Sequence, residues 1–155
     1  MLSDHHWEDR PRALRELRRV ARRRVVVFTW DPQFADEFWL TRDYLPAFKR
    51  LPGMAIDDIA HCIGGACIVP LPIPGDCRDG FYHAFWRRPA AYLDQTVRSG
   101  ISVFARIEER EIIRMTERLR ADLESGTWEE RNAALLGLAE LDLGYRLLVA
   151  ECRRP

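Results

Sequence analysis

Two adjacent imidazoles, His5 and His6, precede Trp7 near the start of the chain. An imidazole titrates near neutral pH, so either can serve as a general base, with His6 the first candidate. Further on, Trp30-Asp31 closes an apolar run. The Asp31 carboxylate can accept a substrate hydrogen bond, or simply turn the chain ahead of Pro32. Arg42-Asp43-Tyr44 and Asp79-Gly80-Phe81-Tyr82 are mixed polar and aromatic patches of the sort that reach into a pocket. Trp86-Arg87-Arg88-Pro89 with Tyr92 combines an aromatic lid with guanidinium groups able to meet a substrate carboxylate. The candidate substrate contacts are Trp30, Asp31, Arg42, Tyr44, Tyr82, Trp86, Arg87 and Tyr92. The plainer reading of each aromatic taken alone is core packing. Cys62, Cys67, Cys77 and Cys152 include no Cys-x-x-Cys pair, and with His61 and His83 they match no familiar zinc spacing. Free cysteines and no metal site are expected.

These side chains sit in a chain of 155 residues, long enough for one domain with a sizeable core. It is 47% apolar and 31% charged, as soluble globular proteins are. Its 24 basic and 24 acidic residues cancel, so net charge gives no case for nucleic acid as a partner. The basic cluster of Arg18, Arg19 and Arg22 to Arg24 falls at an expected helix C-terminus, where cations complement the helix dipole. No apolar run is long enough to span a membrane and no signal peptide precedes the charged start, so no membrane partner and a cytoplasmic location are expected.

The elements that must position the candidates follow from periodicity. Asp9 caps, and Pro11 suits, a helix over residues 12–23, with Leu14, Leu17, Val20 and Ala21 as its apolar stripe. Residues 24–30 are apolar at almost every position, the pattern of a strand buried on both faces as in a parallel α/β sheet. A helix broken near Pro46 is expected over 33–50. A strand fits residues 66–73, where Pro70, Pro72 and Pro74 fall at every second residue. Alternate N–H groups point the same way, so one side of this strand has lost its donors and it must be an edge. Helices are expected over 103–125 and, from the capping box Thr127 to Glu130, up to Gly144. Residues 145–152 are apolar enough for a central strand.

The His-Trp pair, the helix run "ALRELRRVAR" and the strand "RVVVFTWDP", in this order, resemble the second half of a class I S-adenosylmethionine-dependent methyltransferase. With "SGTW…LDLGYRLLVA" the chain resembles the methyltransferase type 11 group. The resemblance implies an α/β fold, a partial Rossmann-like sheet in which residues 24–30, 144–151 and 66–73 are strands five, seven and six. Strand seven would lie antiparallel between the other two, and the edge position of strand six agrees with the proline spacing. One partial domain is implied: residues 1–74 and 143–155 form the sheet and its helices, and 75–142 a mainly helical insertion capping the substrate pocket. His5, His6 and Trp7 would stand at the carboxyl end of strand four, with Trp7 a cofactor-binding candidate and Trp30 and Asp31 facing the same crevice.

The implied cofactor is S-adenosyl-L-methionine and the implied partner a small-molecule substrate. The first glycine is Gly53, so the family's glycine loop is missing, as is its acidic ribose ligand. The chain alone is therefore expected to bind the cofactor poorly and to be inactive, as a truncated, mis-started or split gene product. The alternative is a non-catalytic module that binds a small molecule or a protein. The edge of residues 25–28 is expected to recruit either a second copy or the missing N-terminal half.

Overall fold

The computed structural model describes residues 7–152, so His5 and His6 lie outside the described residues. In chain order the elements are α1 (Arg10–Val20), β1 (Arg24–Trp30), α2 (Ile56–Cys62), β2 (Cys67–Pro70), β3 (Ile73–Pro74), α3 (Gln95–Ser99), α4 (Glu109–Glu124), α5 (Thr127–Leu136), β4 (Glu140–Leu141) and β5 (Tyr145–Glu151). The chain divides into two compact units. One comprises residues 1–34, 53–72 and 144–155, and the other 35–52 and 73–143. Residues 35–52, expected with the sheet, belong to the second unit.

The first unit is built on a sheet of order β1-β5-β2. Both pairings are antiparallel, with Val27 opposite Leu148 and Val69 opposite Leu147. Arg12 N donates to Asp9 Oδ1 at 2.9 Å, so the expected cap starts α1. Helices α1 and α2 cover one face of the sheet. Leu14, Ile56, Ile59 and Ile63 pack there on Val25, Val27, Leu148 and Ala150. Burial on both faces, expected at 24–30, is not seen among the described residues. Val25, Val27 and Thr29 are buried, whereas Val26 is 51% exposed. The stripe of α1 is likewise narrower than its spacing suggested: Leu14 is buried, but Leu17 and Val20 face solvent.

Gly144 opens β5 with φ +89°. Its carbonyl accepts from Asp31 N at 2.8 Å, and a Cβ added there would lie 2.5 Å from Phe34 Cβ. Only glycine fits both demands. The expected strand 66–73 is split: Leu71 N still bonds Tyr145 O at 2.9 Å, and Ile73–Pro74 then leave to pair with Glu140–Leu141 in the second unit.

The second unit has an aromatic interior. Phe38, Trp39, Tyr82, Trp86, Tyr92 and Trp128 are each at most 3% exposed. Trp39 meets Trp128 edge-on at 5.2 Å, and Phe48 stacks on Tyr82 at 4.3 Å. Residues 33–50 are not one helix but separate turns at Pro32–Phe34, Leu40–Tyr44 and Pro46–Arg50. Pro46 offers no N–H to continue a helix, and Leu45 at φ −132° has left helical geometry. The helix expected from 103 starts at Glu109. The capping box does not form. Gly126, at φ +79°, is the N-cap of α5, and the Thr127 hydroxyl is 2.7 Å from Ser125 Oγ instead. That helix stops at Leu136, short of the expected Gly144.

Candidate functional site

The turn at Leu40–Tyr44, the middle of α5 and the segment after β4 enclose a cleft of about 280 Å³ within the second unit. This lies just under the roughly 300–1,000 Å³ typical of small-molecule sites. Trp39, Leu135, Leu141 and Leu143 give it apolar walls, and Glu37, Arg42, Arg131, Asn132 and Asp142 bring charge and polarity.

Arg42, Arg131 and Asn132 are each held by a neighbour. Arg42 makes a bidentate pair with Asp43, Nε to Oδ1 at 2.9 Å and Nη2 to Oδ2 at 3.0 Å. That hydrogen bonding raises the Arg42 pKa above its ordinary value, so its charge is permanent. A guanidinium has five N–H donors, and this pair uses two. Arg131 Nη1 donates to Asp122 Oδ2 at 2.9 Å, and the Tyr44 hydroxyl donates to the same oxygen at 2.7 Å. Burial, then this hydrogen bond, holds the Tyr44 phenol well above its usual range. Tyr44 is thus a fixed donor rather than a base.

Asn132 leaves helical geometry at φ −114°, and its Nδ2 donates to Trp128 O at 2.9 Å. This break in α5 lies directly beside Arg131. Trp39 is anchored by Nε1 donating to Trp86 O at 2.8 Å. The arrangement offers both charge signs around an apolar floor, which suits a small polar or zwitterionic molecule with an apolar part. It offers no activated nucleophile.

The residues singled out from sequence are distributed unevenly. Trp7 lies just before α1 and is 37% exposed. Trp30 ends β1 opposite Tyr145, and Asp31 Oδ1 accepts from Gln33 N at 3.0 Å, the turn-forming role. In the second unit, Arg42 lines the cleft and Tyr44 braces Arg131 through Asp122. Tyr82, Trp86 and Tyr92 belong to the buried aromatic interior. Tyr82 OH lies 3.2 Å from Thr41 Oγ1, Trp86 Nε1 donates to Ile73 O, and Tyr92 OH donates to Tyr82 O. Arg87 reaches Leu138 O at 2.8 Å.

Glu37, Trp39, Arg131, Asn132 and Asp142 were not singled out. Arg131 and Leu135, four residues and so about one turn apart on α5, were the spacing that could have drawn attention to this helix. Nothing in the sequence marked Asn132. Among the described residues no group of three His, Cys, Asp or Glu side chains could hold a metal, and no helix is long and apolar enough to cross a membrane.

No protein-family model matches the chain, and no curated protein matches it either. Among solved structures it is similar to a protein from Anabaena variabilis ATCC 29413, provisionally described as a methyltransferase from an antibiotic biosynthesis pathway. The TM-score is 0.88 and the sequence identity 32%. The match covers 96% of this chain and 63% of that one. The architecture is methyltransferase-like. This chain corresponds to part of that protein's length.

Proposed function

We propose that this chain is the C-terminal part of an S-adenosylmethionine-dependent methyltransferase acting on a small molecule. The observation that carries the reading is the similarity at 32% identity along nearly the whole chain. In this reading β1, β5 and β2 are strands five, seven and six of the family's sheet, and the second unit is the insertion that shapes the substrate side. The mixed-charge cleft would receive the polar part of the substrate, with Arg42 and Arg131 as its anion contacts.

The described residues do not by themselves fit the cofactor. A cradle for its ribose and carboxylate needs a strand running through a glycine loop into a helix N-terminus. Here every strand pairing among the described residues is antiparallel, and the left-handed glycines Gly64, Gly65, Gly126 and Gly144 lie elsewhere. The cofactor site would therefore be completed by a polypeptide segment beyond these residues.

Calorimetric titration tests this in two steps. The 155-residue chain should bind S-adenosylmethionine weakly, and submicromolar affinity would overturn the partial-site reading. The chain joined behind the part of the Anabaena protein outside the match should gain cofactor binding. It should also transfer a labelled methyl group to a member of a small-molecule panel. A folded fusion that binds no cofactor rejects the methyltransferase reading. A second reading, a non-catalytic binding module, is favoured by the cleft lying within one unit of this chain. It predicts that a zwitterionic ligand binds the chain equally well with and without the added segment.

A further inference from the structure

The side-chain amide of Asn132 is fixed by the fold and only half used. Asn132 is 4% exposed, and its Nδ2 donates to Trp128 O at 2.9 Å, one turn back on α5. A carbonyl oxygen only accepts, so the atom facing Trp128 O must be Nδ2, and this sets the orientation of the whole amide. Oδ1 accepts from no described residue, yet it is not among the side-chain atoms sealed from solvent without a partner. The open space that Asn132 borders is the cleft. A largely buried carbonyl without a donor is costly, so the cleft favours an occupant that brings an N–H or O–H group.

The charges around the cleft set the sign of that occupant. Arg42 and Arg131 are its lining cations, and each already holds a carboxylate, Asp43 and Asp122 respectively. Neither aspartate lines the cleft. Glu37 does line it, and it acts on Arg42 through charge alone, with no ion pair among the described residues. Two guanidiniums against Glu37, Asp43 and Asp122 leave one negative charge in excess, before the lining carboxylate of Asp142 is counted. The spare guanidinium N–H groups can still hold an acceptor on the ligand, but the local balance favours a cation.

We propose that the cleft takes a small molecule carrying a protonated amine. Asn132 Oδ1 accepts from the ammonium, Glu37 is the counter-charge, and Trp39, Leu135 and Leu141 pack against the apolar part. An alcohol would satisfy Oδ1 but make no use of Glu37, and a carboxylate would bring lone pairs to a lone pair. The inference deepens the proposed function and rests on it only in taking this amine as the methyltransferase's substrate.

Titration of the full 155-residue chain, followed through the Asn132 side-chain amide signal in NMR, tests this without the added segment, because every lining residue lies in the second unit. The probes are phenethylamine, phenethyl alcohol and hydrocinnamate, which share a ring and differ in head group. At neutral pH the amine should bind at least about tenfold more tightly than either of the others, as a hydrogen bond to a charged group implies. Glu37→Gln, at an exposed position, should weaken the amine by about two- to fivefold and leave the alcohol unchanged. Asn132→Ser keeps a hydroxyl donor for Trp128 O but withdraws the carbonyl, so it should remove most of the amine preference. If that variant does not fold, the head-group comparison and Glu37→Gln still decide. Equal or tighter binding of hydrocinnamate, equal binding of the alcohol, or no binding of the amine at millimolar concentration would each overturn the proposal. So would an undiminished amine preference in Glu37→Gln or in folded Asn132→Ser. An amine preference beside a fusion that binds no cofactor keeps the amine site and rejects the methyltransferase. Methyl transfer by the fusion without an amine preference does the reverse.

Discussion

His83 is 1% exposed among the rings of Phe38, Phe48 and Tyr82. Burial lowers its pKa to about 3. The folded state therefore keeps His83 neutral, while the unfolded chain takes up a proton below its ordinary value of 6.5. The associated stability is full above that pH and falls towards pH 3, by up to about 1.4 kcal/mol per pH unit. His83→Leu should flatten the acid limb of stability between pH 6 and 4, measured by denaturant unfolding at each pH (roughly one proton's worth of slope). An unchanged slope would mean that His83 does not carry this acid sensitivity. Gly144 makes a second residue-scale case. Gly144→Ala forces a left-handed alanine and pushes a methyl into Phe34, whose ring carries the Arg146 guanidinium at 4.4 Å. A loss of about 2–3 kcal/mol is expected in urea unfolding.

At the scale of elements, β1 shows how one strand can have two unlike sides. Val27 bonds to β5 and is 6% exposed, whereas Val26 points its N–H away from β5 and is half-exposed. Val27→Pro should thus cost about 3 kcal/mol or more, and Val26→Pro far less, in thermal melts of the isolated chain. Equal losses would mean that the ladder has the opposite alternation. The sequence of β1 concealed this. Apolar residues at every position are consistent with burial on both faces, and hydropathy alone does not say which of the two faces the other described residues cover. The prolines of 66–73 were more informative, because a missing donor is a covalent fact wherever the strand is placed. The turns of 33–50 were misread because Phe34, Phe38 and Phe48 do fall near helical spacing. Tertiary packing around the aromatic interior, together with Pro46, overrides that weak propensity.

For the whole molecule, zero formal charge meets a sheet face that the described residues leave exposed at Val26, Cys67 and Val69. Charge repulsion keeps proteins apart, and this chain has least of it near its isoelectric point of about 6.9. Light scattering of the isolated chain should therefore peak near that pH and fall on either side. Val26→Lys should lower the peak, by adding charge to the exposed apolar row. Scattering that ignores both pH and Val26→Lys would place the sticky surface elsewhere.

The amino-acid sequence by itself determined the features that depend on covalent chemistry and local spacing. These are the Asp9 cap with Pro11, the donor-poor proline strand, the apolar last strand and the absence of a glycine before Gly53. The tertiary structure alone decided which aromatics became interior and which charges met. Tyr82, Trp86 and Tyr92 have the composition of a pocket wall, but their polar atoms find partners inside the second unit, so they close into a core. Arg42 and Arg131 are 89 residues apart in sequence and line one cleft because a turn and the kinked α5 carry them there. No local pattern encodes such a meeting, because its cause is the packing of segments far apart in the chain.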